Sequence, residues 1–226
     1  MPRHLALIMD GNRRWAQARD CAPSAAYQAG ARRVQEIVGH CDNLGIAHVT
    51  VWALSRDNLT RPADQVKSLI RIIVAGLAKI AAVGRSQVHP FGSLELLEPD
   101  VAQTLRDIAQ RTCGAPGTCL HVGIAYDGRH ELVGAVRSLL ADVQAGSIGA
   151  ESVTAEALGR YLWSAGLPDL ELLVRTSGEQ RLSGFMPWQE TQAELYFTDT
   201  AWPDFDSGAL DLALATFAAR TRRLGQ

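Results

Sequence analysis

Leu5-Ala6-Leu7-Ile8-Met9 runs directly into Asp10-Gly11-Asn12-Arg13-Arg14-Trp15, so an unbroken apolar run ends in a carboxylate, a glycine, an amide and two arginines. Five apolar residues without alternation describe a strand buried on both faces, and such strands belong to parallel sheets with helices on either side. The same kind of run returns at 49–54, 120–125 and 170–174, with 194–197 as a later candidate. Between these runs lie segments of helical spacing at 25–43, 62–84, 99–111, 129–144, 154–164 and 207–222. The expected fold is therefore α/β, a central parallel sheet flanked by helices. Ligands of such sheets bind beyond the carboxyl ends of the strands, where Asp10, Ser55 and Arg175 emerge.

A chain of 226 residues suits one sizeable core, and the reading is a single domain over 1–226. Turn-rich stretches at 112–118 and 143–149 read as surface connections rather than linkers. With 20% charged residues and a formal net charge of −2, the composition offers no footprint for nucleic acid, so any phosphate recognition must be local. The longest apolar stretch, 70–83, is interrupted by Arg71 and Lys79 and is too short for a bilayer, which argues against stable membrane insertion. Met1-Pro2-Arg3-His4 does not begin a signal peptide. Cysteines 21, 41, 113 and 119 form no Cys-x-x-Cys pair and read as reduced packing residues of a cytoplasmic protein.

The loop after the first run has the residue types a phosphate ester and its metal require. Glycine allows close backbone approach, the following helix start has unpaired amides, and arginine forks match phosphate oxygens. Asp10 supplies an oxygen ligand for a hard divalent cation. An Asx turn capping a helix would account for Asp-Gly-Asn alone, but not for two arginines and a tryptophan in the next turn. Neither a P-loop nor a Gly-x-Gly-x-x-Gly fingerprint follows the first strand, and an Asp-Asp-x-x-Asp metal motif is missing. A second loop, Arg175-Thr176-Ser177-Gly178-Glu179-Gln180-Arg181-Leu182-Ser183, again combines arginines, hydroxyls and glycine after an apolar run.

These stretches, with Leu54-Ser55-Arg56-Asp57-Asn58, Arg61-Pro62, Ala125-Tyr126-Asp127-Gly128-Arg129, Ala193-Glu194-Leu195-Tyr196-Phe197 and Trp202-Pro203-Asp204-Phe205, resemble the cis-prenyltransferases, the undecaprenyl and Z-farnesyl diphosphate synthases. The resemblance implies a hydrophobic tunnel beneath the catalytic rim, isoprenoid diphosphate substrates, magnesium and a homodimer. It implies that Asp10 organises magnesium and the diphosphates, while Gly11, Asn12, Arg13, Arg14 and Arg61 cradle the allylic diphosphate with Trp15 and Tyr27 nearby. Ser55 and Asn58 match a Ser-x-x-Asn pair that assists the reacting unit. Arg175, Arg181 and Ser183 would bind the second diphosphate, and Glu194 would complete the metal site. The stripe Leu69, Ile72, Ile73, Gly76, Leu77 and Ile80 is either tunnel wall or ordinary core, and Arg223-Leu224-Gly225 resembles a tail that reaches the site across the dimer.

Two departures bear on the product. Tyr27 and Leu59 stand where long-chain members carry histidine and tryptophan, which are traits of short-chain enzymes. Phe185-Met186-Pro187-Trp188, together with Phe91-Gly92-Ser93-Leu94-Glu95-Leu96, resembles the branch that makes lavandulyl-type diphosphates by head-to-middle coupling. The expected activity is coupling of dimethylallyl or geranyl diphosphate with a second five-carbon unit, with head-to-middle coupling favoured by Pro187. Regular head-to-tail condensation with isopentenyl diphosphate, and a non-catalytic subunit, are the alternatives.

Overall fold

In this computed structural model, which describes residues 1–220, six strands form one parallel sheet. They are β1 (His4–Ile8), β2 (His48–Trp52), β3 (Gln87–Phe91), β4 (Cys119–Gly123), β5 (Leu172–Arg175) and β6 (Glu194–Phe197), in the order β3-β4-β2-β1-β5-β6. Helices α1 (Asn12–Ala18) and α2 (Pro23–Asn43) connect β1 to β2, and α3 (Ala63–Val83) and α4 (Pro99–Thr112) flank β3 in sequence. Helices α5 (Gly128–Gln144) and α6 (Ala155–Gly159) carry the chain from β4 across to β5, and α7 (Ser207–Ala219) follows β6. The sheet grows from β1 in one direction through β4 and then resumes on the other side with β5. The crevice at that reversal lies between β1 and β5, with Ile8 level with Arg175.

Strand β3 escapes the apolar-run reading because its sequence is Gln87-Val88-His89-Pro90-Phe91. It lies at the edge of the sheet, the place where a proline without an amide hydrogen is tolerated. The expected helix over 154–164 stops at Gly159. Beyond it the amides of Arg160, Tyr161 and Leu162 bond three residues back, and Ser164 turns to the Glu131 carboxylate, so the segment tightens into turns. Helix α7 is described to Ala219, and Arg223-Leu224-Gly225 lies outside the described residues.

The core has two sides. Leu5, Leu7, Val49, Val51, Leu120, Val122, Leu172 and Val174 project to one face, where Ile37, Leu77, Leu105 and Leu214 from α2, α3, α4 and α7 cover them. Each such fully buried side chain contributes about 1.5–3 kcal/mol. On the other face Ala6, Ile8 and Leu173 pack with Tyr126, Phe185 and Met186. Of the cysteines, all are free; Cys41 is a packing residue, its thiol pushed up to about 12 by burial, while Cys113 is exposed. Among the described residues, no helix is long and apolar enough to cross a membrane.

The second face also carries histidines on four adjacent strands. His4 Nδ1 lies 2.7 Å from the Pro168 carbonyl and Nε2 lies 2.7 Å from Thr50 Oγ1, which fits a neutral ring donating through Nδ1 and accepting the threonine hydroxyl. His121 stacks on both His48 and His89, with ring centroids 5.5 and 5.2 Å away. Burial lowers the pKa of His4 to about 4, and burial with the neighbouring histidines lowers that of His121 to about 3. Each is held neutral in the fold but binds a proton near pH 6.5 when unfolded, so stability must fall as the pH drops from 6.5 towards 4. Denaturant melts across that range are expected to show this slope, and His121→Asn to flatten it. A stability independent of pH between 6.5 and 4 would contradict the neutral assignment.

Candidate active site

Strand β1 ends in a tight turn, Asp10 N donating to the Ile8 carbonyl at 3.0 Å. The Asp10 carbonyl is then held from two sides, by Thr176 Oγ1 at 2.8 Å and by Trp202 N at 3.0 Å. Gly11 has φ +99°, and a methyl group there would lie 2.6 Å from Ser177 Oγ, so both its conformation and the space around it demand glycine. Asn12 opens α1 and donates through Nδ2 to the Met9 carbonyl at 3.1 Å. Its Oδ1 is buried without a partner, and a methyl at Gly30 would stand 2.6 Å from it. Gly30 in turn gives its carbonyl to Trp202 Nε1 at 3.0 Å. The first loop is thus braced against the second loop, α2 and the turn at 202–204.

Arg175 is the last residue of β5 and is 5% exposed. Its Nη2 donates to Asp10 Oδ2 at 3.1 Å, while Nη1 donates to Ser183 Oγ at 2.9 Å and to the Arg181 carbonyl. Closing the loop from 176 to 186 so tightly places Ser177, Gly178, Ser183, Gly184 and Met186 in the left-handed region. Glu179 pairs with Arg181 and, at 3.5 Å, with Arg14, whose other amino group is 3.6 Å from Asp10. From β2 comes a third loop, in which Ser55 Oγ accepts from Asn58 N at 3.1 Å and Ser55 bridges to Tyr126.

These loops surround the mouth of a cavity of about 700 Å³ that continues between α2, α3 and the sheet. Twelve of the residues expected at the site line it: Asp10, Gly11, Asn12, Arg13, Arg14, Tyr27, Ser55, Asn58, Arg61, Arg175, Arg181 and Ser183. Beneath this polar rim the wall is apolar, with Leu69, Ile72, Ile73, Leu77 and Ile80 from α3 facing Val51 and Val122 of the sheet. The α3 stripe is therefore cavity wall as well as core. Five arginines at the mouth and an aliphatic tube below suit an anion with a hydrocarbon tail.

Trp15 and Glu194 do not reach the cavity. Trp15 Nε1 donates to Asp204 Oδ1 at 2.8 Å, and Arg19, 4.3 Å above its ring, also bonds Asp204, so Trp15 fastens α1 to the 202–204 turn. Glu194 begins β6 and pairs with Arg220. It is Phe197, at the other end of that strand, that stands level with Arg175, so within one chain Glu194 is remote from Asp10. Glu179 and Trp52, to which the sequence reading gave no role, do line the cavity. The signal for Glu179 was a carboxylate set between arginines; Trp52, whose buried Nε1 lacks a partner, lay inside an apolar run and gave none.

A closed metal cage is not present among the described residues, since no group of three or more His, Cys, Asp or Glu side chains could hold an ion. Magnesium commonly takes only one or two carboxylates together with substrate phosphates and water. A partly exposed Asp10 beside the arginines of the cavity mouth fits that donor set.

Comparison with known proteins accords with this geometry. The family described as putative undecaprenyl diphosphate synthase matches residues 8–225. A short-chain Z-isoprenyl diphosphate synthase of Mycobacterium leprae is 42% identical, over 100% of this chain and 88% of its own length. A (2Z,6E)-farnesyl diphosphate synthase of Thermobifida fusca is 39% identical, over 99% and 90%. The crystal structure of lavandulyl diphosphate synthase from Lavandula x intermedia with dimethylallyl diphosphate superposes with a TM-score of 0.96 at 30% identity, covering 100% of this chain and 98% of the other.

Because Gly11 combines a positive φ with contact to Ser177, Gly11→Ala is expected to cost roughly 1–3 kcal/mol of stability. Thermal or denaturant melts read this directly. An unchanged midpoint would mean that the first and second loops do not press together as described.

Proposed function

The chain belongs to the undecaprenyl diphosphate synthase family of prenyltransferases, and from that premise we propose that it is a short-chain enzyme joining two small isoprenoid diphosphates with release of pyrophosphate. The observation that carries this reading is the two-part cavity, an arginine-rich mouth over an apolar tube. Arg13, Arg14 and Arg61 grip the diphosphate of the allylic unit, dimethylallyl or geranyl, whose tail lies along α3. Arg175, Arg181 and Ser183 grip the second diphosphate, aided by guanidinium forks that bind two oxygens at once.

Asp10 would hold magnesium, which when bound neutralises charge on the departing pyrophosphate. The allylic C–O bond breaks and its electron pair leaves with the pyrophosphate. The π electrons of the second unit then attack the cationic carbon, and the new cation passes a proton to a diphosphate oxygen. Asn12, Ser55 and Asn58 orient the reacting groups at the rim, while the aliphatic wall excludes water that would trap the cation. Asp10→Ala is expected to lower turnover by roughly two to three orders of magnitude with the fold retained by circular dichroism. Unchanged turnover would remove Asp10 from this role.

For the second unit we favour dimethylallyl diphosphate and head-to-middle coupling. This rests on the sequence around Pro187 and on the lavandulyl diphosphate synthase likeness. Pro187 is not in the cavity wall; it seats on Gly128, where an added methyl would lie 2.4 Å from its Cδ, and so acts through the loop that carries Ser183. Regular condensation with isopentenyl diphosphate is the second reading, favoured by the names of the relatives at 39% and 42% identity. The chain's retention of Asp10, Arg175, Arg181 and Ser183 weighs against a silent subunit.

The same proposal includes a cytoplasmic homodimer. The dimer is supported by the stripe Val133, Val136 and Leu140 on α5, apolar side chains that are 47%, 42% and 51% exposed at helical spacing.

Purified protein with magnesium and dimethylallyl or geranyl diphosphate, with and without isopentenyl diphosphate, distinguishes the couplings by mass spectrometry of the dephosphorylated alcohols. Branched alcohol without isopentenyl diphosphate is expected; linear Z alcohol formed only in its presence would establish regular condensation instead. Ile73→Gly is expected to lengthen the product where chain growth is possible, and an unchanged product would exclude Ile73 from the floor.

A further inference from the structure

The side chain of Glu131, in the first turn of α5, is 2% exposed, and among the described residues no ion pair reaches it. Instead it accepts three hydrogen bonds. Tyr126 Oη donates to Oε2 at 2.6 Å, and Ser164 N and Oγ donate to Oε1 at 3.1 and 2.8 Å. Both carboxyl oxygens thus serve as acceptors, and the side chain ties α5 to Tyr126 and Ser164 at once. Tyr126 Oη, with its proton committed to Glu131, accepts from Met186 N at 3.2 Å. Gln189 closes the ring, its side chain donating to Ser164 Oγ and its amide to the Met186 carbonyl at 3.1 Å.

What this ring holds is the segment that presents Ser183. Ser183, Gly184 and Met186 have φ of +54°, +81° and +50°, and non-glycine residues keep such conformations only when their surroundings fix them. Met186 is held by its amide to Tyr126, and Phe185 stacks on Trp52 with ring centroids 5.0 Å apart. Ser183 then receives Arg175 Nη1 at 2.9 Å. Tyr126 also meets the loop from β2, since its amide donates to the Leu54 carbonyl and its carbonyl accepts from Arg56 N.

We propose that Glu131 is a positioning residue for the second diphosphate site: its carboxylate orients the Tyr126 hydroxyl, which anchors Met186 and so keeps Ser183 against Arg175. The inference rests on the functional reading above. It assigns the anchor to one of the two diphosphate sites, because the arginines of the other, Arg13, Arg14 and Arg61, lie on α1 and beside α3, outside the ring.

The test uses Glu131→Gln and Tyr126→Phe in the full chain with magnesium. Geranyl diphosphate is the allylic unit, and isopentenyl or dimethylallyl diphosphate the acceptor. Both variants are expected to raise the acceptor KM by about tenfold or more, with the geranyl diphosphate KM changed less than twofold. Amide exchange read by mass spectrometry over 183–189 should accelerate in both. Tyr126→Phe keeps the packed ring, so it carries the test if Glu131→Gln does not fold. Equal rises in both KM values, or unchanged exchange over 183–189, would overturn the inference. Wild-type protein that turns over no prenyl diphosphate would overturn the functional reading and this role together, whereas turnover without the selective KM effect overturns this role alone.

Discussion

Asp10 and Arg175 meet because β1 and β5 are neighbours at the point where the sheet reverses its direction of growth. Strand pairing sets the level of the two residues, Ile8 opposite Arg175, and the next turn of chain brings the Asp10 carboxylate to the guanidinium at 3.1 Å. The other site features follow from that junction. Gly11 must be glycine to let Ser177 approach, Thr176 and Trp202 fix the Asp10 carbonyl, and Ser183 comes within reach only because the loop after Arg175 folds back through left-handed residues. A carboxylate and an arginine facing each other in this way are also the two groups a metal diphosphate needs, one for the cation and one for the anion.

The cavity divides its physical tasks by depth. At the mouth, the arginines are fixed in place by the fold, so on the proposed function they would stabilise charge growing on phosphate oxygens without reorganising first. Below, α3 and the sheet supply mainly apolar contact, aliphatic apart from the Trp52 indole, a surface that on the proposed function would bind a hydrocarbon chain by excluding water. Gly76 and Ala31 pack closely where α2 and α3 meet beside this tube, so the same helix pair that closes the core also limits the tube's width. On the proposed function, length of product and stability of the fold are therefore coupled through α3.

Much of this was legible in the chain because it is local. Near-continuous apolar runs followed by Asp10, Ser55 and Arg175 placed three loops on one rim, and twelve residues chosen from those loops and their flanks line the cavity. Where the structure departs from that pattern, the causes are physical. Strand β3 is an edge strand containing Pro90, so it lacks the pattern of the buried strands. Trp15 sits in the first rim motif by sequence, yet its indole finds Asp204 nearly two hundred residues away. Glu194 lies next to motif residues in sequence but at the opening end of β6, whereas the site forms at the closing ends. The ring around Glu131 closes through contacts 33 and 60 positions apart, separations that no local pattern encodes.

The central claim is that one continuous pocket takes a diphosphate at the Asp10–Arg175 rim and its prenyl chain along α3. A crystal structure of the protein with magnesium and dimethylallyl thiolodiphosphate tests it most directly. The account predicts phosphate oxygens within hydrogen-bonding distance of the rim arginines, the cation on Asp10, and the tail directed towards Leu69 and Ile73. A diphosphate seated on those arginines with its tail directed away from α3, or an analogue bound elsewhere on the chain, would contradict it.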